Sequence, residues 1–154
     1  MAPGPPAGHA AFSLIELLIV LVILGALAGM ALPRYAEANV RYGLDAAAKR
    51  VAADVEYVAT RTRATQTPQL IRFVPSSDLY WLPDMADMDH PDQVYAVTLS
   101  AEPYRTALSS TSFTNNALTF DAYGEPSEAG QVVLTRGIYQ RVIAVDAHGG
   151  VTLP

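Results

Sequence analysis

The chain of 154 residues contains no cysteine. That excludes a disulfide framework, a thiolate zinc site and a cysteine nucleophile, and it leaves the redox compartment open. Charge is scarce: Asp, Glu, Lys and Arg make up 16% of the residues, against roughly 25% in an ordinary soluble domain. Apolar residues reach 51% and mean hydropathy is positive, so part of the apolar content is expected in a membrane. A net charge of −5 argues against a globally basic nucleic-acid binder. No lysine or arginine precedes Arg34. From Arg34 to Arg72 seven basic and four acidic residues give +3; from Phe73 to Pro154 three basic and ten acidic give −7; Glu16 supplies the last −1. A basic middle and an acidic end imply two physically different parts.

Signs of catalysis are also missing. No serine sits in a G-x-S-x-G elbow, and no glycine-rich phosphate loop is present. His9, His90 and His148 are scattered. Paired carboxylates occur only in segments read as loops, so no enzyme is expected and no cofactor is implied. The segment Asp84, Asp87, Asp89, His90, Asp92 invites a calcium reading, because clustered carboxylates suit a hard cation. It lacks the calcium-loop glycine and the terminal glutamate, so a solvated acidic loop is the expectation and no metal is assigned.

What is present begins with one long apolar run. Residues Met1 to Ala11 are small and rich in Pro and Gly. Phe12 to Leu32 (FSLIELLIVLVILGALAGMAL) is 21 residues with a single charge. A helix of that length spans about 31 Å, close to the hydrocarbon thickness of a bilayer. A secretory signal is the competing reading, but it calls for a basic start, a shorter core and a small-x-small cleavage site. The run ends instead in Ala31-Leu32-Pro33. Gly25 and Gly29 make a GxxxG spacing, which permits close helix approach in lipid; small residues are also simply common in such helices.

Beyond Pro33 the pattern stays helical. Val40, Leu44, Ala47, Val51, Val55, Val58 and Thr62 fall on one face. Thr67-Pro68 stops the helix, because the residue before proline disfavours helical angles. One helix is therefore expected from Phe12 to about Gln66, with a bend allowed at Pro33, and its second half needs a cover for its apolar stripe. The rest reads as short strands. Gln69–Val74 and Leu79–Leu82 flank a turn at Pro75–Asp78. Val94–Leu99, Ala117–Phe120, Gln131–Arg136, Arg141–Asp146 and Val151–Leu153 follow, separated by turn residues such as Asp121–Pro126 and His148–Gly150. Pro83–Gln93 and Glu102–Asn116 are the longest irregular stretches. Trp81, Tyr80 and Tyr95 are read as hairpin core rather than a ligand platform. The fold class is α+β: a long N-terminal helix, first transmembrane and then amphipathic, packed on a small antiparallel sheet.

The segment Ala11-Phe12-Ser13-Leu14-Ile15-Glu16 carries the strongest signal, because an acid inside an apolar helix is a functional candidate by default; the plain alternative is a glutamate that reaches the interface. FSLIELLIVLVILGALAG, followed by Met30 to Tyr35, resembles the N-terminus of type IV pilins and type II secretion pseudopilins. The resemblance implies a leader of residues 1–11 and cleavage by a prepilin peptidase between Ala11 and Phe12. It implies methylation of the new Phe12 amine, and Glu16 facing the N-terminus of a neighbouring subunit. It also implies helix loosening between Gly25 and Pro33. Two opposite charges in low dielectric cost less together than apart, which fits such a pairing. Ala11 stands where the family usually has Gly, and the leader lacks the usual basic residue. Arg34, Arg41, Lys49 and Arg50 by themselves would place the C-terminal part in the cytoplasm, whereas the family sends its head outward.

The stretches Leu118–Pro126, Gly130–Leu134, Arg141–Val145 and Gly149–Leu153 resemble the GspH/FimT type of head domain. Gly150 stands where that family has an arginine before the final strand. The missing arginine and the acidic head argue against nucleic acid, since phosphate contacts supply most non-specific affinity. The resemblances imply residues 1–11 as leader, 12–33 as membrane span, 34–66 as amphipathic helix and 67–154 as head. They imply a single-pass protein of the bacterial inner membrane with its head in the periplasm. Its partners would be other pilin or pseudopilin subunits, the prepilin peptidase and the inner-membrane assembly platform. The leading expectation is a minor pseudopilin of a type II secretion filament. The alternative is a FimT-like minor pilin of a type IV pilus, in pilus assembly or DNA uptake. A third reading, of another class, is a membrane-tethered module whose acidic loop captures a ligand.

Overall fold

The computed structural model describes residues 13–154, and the side chains of all of these except residues 31–33. The expected leader and the Ala11–Phe12 cleavage point lie outside the described residues. The chain divides into two compact units after Ala38. One α-helix, α1, runs over Leu14–Thr65 and contributes to both.

In the first unit, α1 presents its apolar side chains without cover. Leu14, Ile15, Leu17 and the aliphatic residues through Leu27 are all exposed. The stretch is long and apolar enough to cross a membrane. Backbone hydrogen bonding is helical through Pro33. The sequence allowed a bend there, since proline removes one donor and crowds the preceding turn.

In the second unit the exposure reverses. Leu44, Ala47, Ala48, Val51, Ala52, Val55, Val58, Ala59 and Thr62 are buried on one stripe of α1, so the face read from the spacing is the face that packs, with Val40 at its half-buried edge. The alanines keep the helix close to its cover. Thr62, polar and buried, donates its hydroxyl to Val58 O at 2.7 Å, which satisfies it without leaving the helix. The helix ends at Gln66, which adopts a left-handed φ of 52°, just ahead of Thr67-Pro68.

Eight strands follow: β1 Gln69–Val74, β2 Leu79–Ala86, β3 Val94–Thr98, β4 Ala107–Thr111, β5 Ala117–Phe120, β6 Gly130–Arg136, β7 Tyr139–Val145 and β8 Val151–Thr152. They form two antiparallel sheets rather than the single one expected, in the orders β3-β2-β1-β5 and β4-β6-β7-β8. Ile71 opposes Leu118 in the first, and Val132 opposes Ile143 in the second. Inward side chains of both sheets and the α1 stripe make one contiguous core. Phe73 lies between Tyr80 and Phe113, with ring centroids 5.9 and 5.8 Å away.

Two differences from the sequence reading have clear causes. Strand β4 falls in a stretch read as irregular. Only Leu108 of its five residues is buried, so no alternation marks it; β6 holds it by backbone pairing. Strand β2 runs past Pro83 to Ala86 because the pairing with β3 shifts register between Leu82 and Ala86. A proline is tolerated at such an irregularity because no ladder donor is required of it there.

Candidate functional site

The first candidate site is the N-terminal part of α1. Glu16 sits in the first turn, exposed, among exposed Leu14, Ile15, Leu17 and Leu18. A carboxylate in the first turn of a helix is favoured by the helix dipole. In lipid or in a bundle of apolar helices it would need a cation. Among the described residues nothing lies within 4 Å of where a Cβ of Gly25 or Gly29 would stand, which leaves room for another helix to approach there. Phe12, the expected partner of this region, lies outside the described residues, as does the side chain of Pro33.

The head contains a second built feature, centred on Asp54 of α1. Its Oδ2 accepts from Tyr80 Oη at 2.5 Å, from Tyr95 Oη at 2.8 Å and from Arg50 Nε at 3.2 Å. Arg50 also donates from Nη2 to the Tyr95 hydroxyl. Helix spacing puts Arg50 and Asp54 on one face as an i,i+4 pair, and β2 and β3 bring the two tyrosines to them. Burial raises the Tyr80 hydroxyl well above the ordinary tyrosine value, and the Asp54 charge adds to that. Tyr95 is pushed up to about 12, by burial first, with the hydrogen bond from Arg50 opposing. Both hydroxyls therefore remain protonated donors at neutral pH, and this cluster clamps α1 to the first sheet. A cavity of ≈ 310 Å³ opens beside it, lined by Tyr57, Arg61, Met85 and Met88 among others.

The remaining sequence candidates resolve into turns and core. In the acidic segment, Asp84 belongs to β2. Asp87 Oδ1 accepts the backbone N–H groups of Asp89 and His90, so this carboxylate shapes its own loop. Among the described residues no cluster of three or more metal-ligating side chains forms. Asp121 Oδ1 holds the Tyr123 and Glu125 amides, closing the Asp121–Pro126 turn. Arg63 Nε donates to Tyr123 O at 3.0 Å, which pins that turn to the end of α1. Asp146 accepts from Gly150 N and His148 N; these amides hold its carboxyl below the usual range. Tyr80 is core, Trp81 half-buried, and Tyr95 part of the Asp54 cluster.

Sequence reasoning missed the contacts at the other end of the head. Arg136 Nη1 donates to Tyr104 O at 2.9 Å and to Asn39 O at 3.4 Å. Gly43 makes room for it: a Cβ there would meet the Arg136 guanidinium, and Tyr104 O at 2.8 Å. Arg141 Nε donates to Asp45 Oδ1 at 2.6 Å. Gly43, the single glycine between Arg34 and Thr67, was the available signal, since a glycine costs a helix interior stability unless a close neighbour needs the space.

The family described as the prokaryotic N-terminal methylation motif matches residues 7–32. Comparison with curated proteins finds no match. Two crystal forms of the type IV minor pilin FimU of Pseudomonas aeruginosa share the fold. One is 15% identical, with a TM-score of 0.56, over 74% of this chain and 90% of that one. The other is 14% identical, with a TM-score of 0.54, over 72% and 92%. The chain thus carries the N-terminal methylation motif of type IV pilins on an α+β, pilin-like fold.

Proposed function

We propose that this protein is a minor structural subunit of a type IV pilin-type filament, anchored by a single span in the bacterial inner membrane with its head in the periplasm before assembly. The observation that carries the proposal is the reversal of exposure along α1. Its residues Leu14 to Leu27 leave every large apolar side chain uncovered, with Glu16 the one charge, while Leu44 to Thr62 are buried under the head. Lipid and a bundle of like helices are interchangeable surroundings for the uncovered part. That interchange is what extraction from a bilayer into a fibre requires.

On this reading residues 1–11 are a leader, 12–33 the span, 34–66 the amphipathic continuation and 67–154 the head. A prepilin peptidase cuts between Ala11 and Phe12, and the new Phe12 amine is methylated. Glu16 then meets the N-terminal cation of a neighbouring subunit, and the helix loosens between Gly25 and Pro33, both poor helix formers. No catalytic step is assigned to the chain.

The secretion filament and the pilus share all of these features. The GspH/FimT-like head stretches lean toward the secretion filament, whereas the fold shared with a type IV minor pilin supports the pilus. Deleting the gene tests the choice. Loss of twitching or surface pili supports the pilus, failed release of exported proteins supports a type II secretion pseudopilin, and an unaltered strain overturns both. Mass spectrometry of the mature N-terminus tests the shared part: a chain beginning at unmodified Met1 in cells that possess the peptidase would end the proposal.

A further inference from the structure

The head distributes its charge unevenly. Residues 73–154 hold ten acidic and three basic residues, and all three basic ones gather where the helix enters the head. Arg136 reaches Asn39 O and Tyr104 O. Arg105 follows Tyr104 and pairs with Glu102, and Arg141 pairs with Asp45. Arg41 of α1 joins them, its guanidinium 4.7 Å from the centre of the Tyr139 ring and donating to the Tyr139 hydroxyl. Of the ten acids, Glu102 and Asp78 belong to this end, and Asp45 of α1 stands there too, against four basic residues; Asp78 accepts the Leu108 amide. The acidic loop of residues 84–92 and the Asp121 turn lie against later turns of α1, near Tyr57 and Arg63.

Between Arg136 and Tyr139 the β6–β7 hairpin turns at Gly137-Ile138, with Gly137 at a φ of 61°. Ile138 is 92% exposed, the most exposed large apolar side chain of the described residues. Tyr42, one residue from both Arg41 and Gly43, is 74% exposed. An aliphatic tip flanked by guanidinium groups, with a tyrosine at the same level, is the chemistry of a surface that meets lipid headgroups. The chain itself supplies the proximity. Asn39, which Arg136 holds, follows Leu32 by seven residues, at most about 25 Å of fully extended chain, and Leu32 ends the apolar run.

We infer that the β6–β7 tip, Ile138 with Arg136 and Arg41 beside it, docks on anionic headgroups of the membrane that holds the N-terminal helix. This inference rests on the proposed anchoring. Docking steadies the head against the bilayer and is released when the helix is withdrawn into a filament.

The absence of native cysteine makes the test direct. The full chain, carrying one nitroxide at Ile138→Cys, Met88→Cys or Ile19→Cys, is reconstituted at one copy per lipid nanodisc. Collision of each label with oxygen and with a water-soluble nickel chelate is then measured. In phosphatidylcholine discs containing phosphatidylglycerol, the label at 138 is shielded from nickel and that at 88 is not. Replacing the anionic lipid or raising salt shifts the label at 138 toward water, because attraction to an anionic surface is screened. If 138 is as nickel-accessible as 88 while 19 is shielded, the docking is overturned and the anchoring stands. If 19 is also nickel-accessible, both fall. Shielding of 138 that develops only when discs hold several copies assigns the tip to a protein neighbour and overturns the lipid reading.

Discussion

Val51→Asp is the sharpest test of how the head is built. Val51 is 1% exposed, in the middle of the α1 stripe that both sheets cover. Removing it forfeits the transfer of a buried valine, about 1.5–3 kcal/mol. Placing an unpaired carboxylate there adds about 3–5 kcal/mol, the scale of an uncompensated buried charge. Even the lower combined value, about 4.5 kcal/mol, approaches the whole stability of a marginal domain, about 5 kcal/mol. Ala53→Glu, two residues away on the exposed side of the same helix, should change stability by no more than about 0.5 kcal/mol. Val51→Ala should fall between them, at about 2 kcal/mol, from lost transfer and a small cavity. The assay is thermal and denaturant unfolding of the full chain in detergent, followed by the fluorescence of Trp81, the single tryptophan, half-buried in β2. Val51→Asp should show no cooperative transition, or one tens of degrees lower. If Val51→Asp and Ala53→Glu melt together, the stripe is not packed and the fold described here is wrong.

Other consequences follow from individual contacts. Glu16→Ala should leave processing intact but reduce incorporation into filaments, read by immunoblot of sheared filament fractions; normal incorporation would refute the charge pairing. Gly43→Ala should destabilise by about 1–3 kcal/mol, since a methyl group has to displace Arg136 or the Tyr104 carbonyl; denaturant midpoints measure it, and an unchanged midpoint removes the close-approach argument. Tyr80 and Tyr95 titrate higher folded than unfolded. The stability they contribute is therefore full below their unfolded value of 10.0 and declines as pH rises beyond it, for Tyr95 up to about 12. The melting temperature should fall from pH 10 upward, and Tyr95→Phe should blunt that fall; a transition that rises with alkali would reverse the sign of the argument.

The helix could be read from sequence because its causes are local. Twenty-one apolar residues with a single charge, then an apolar residue every third or fourth place until Thr67-Pro68, leave the backbone few alternatives. Most strands were legible for the same reason: β-branched and aromatic residues between turn residues whose carboxylates cap their own loops, as Asp121 and Asp146 do. The N-terminal motif, with Glu16 in its first turn, was legible because its residues are consecutive. The division of the strands into two sheets, the pairing that makes a strand of the polar stretch Ala107–Thr111, and the gathering of Tyr80 and Tyr95 on Asp54 were not. Neither was the bond from Arg136 to Asn39, 97 positions earlier. Contacts between distant parts of the chain exist only once the core has closed. A single sequence records the propensity of each partner but not which partner it finds, and that was decided by how one helix stripe and two sheets could exclude water together.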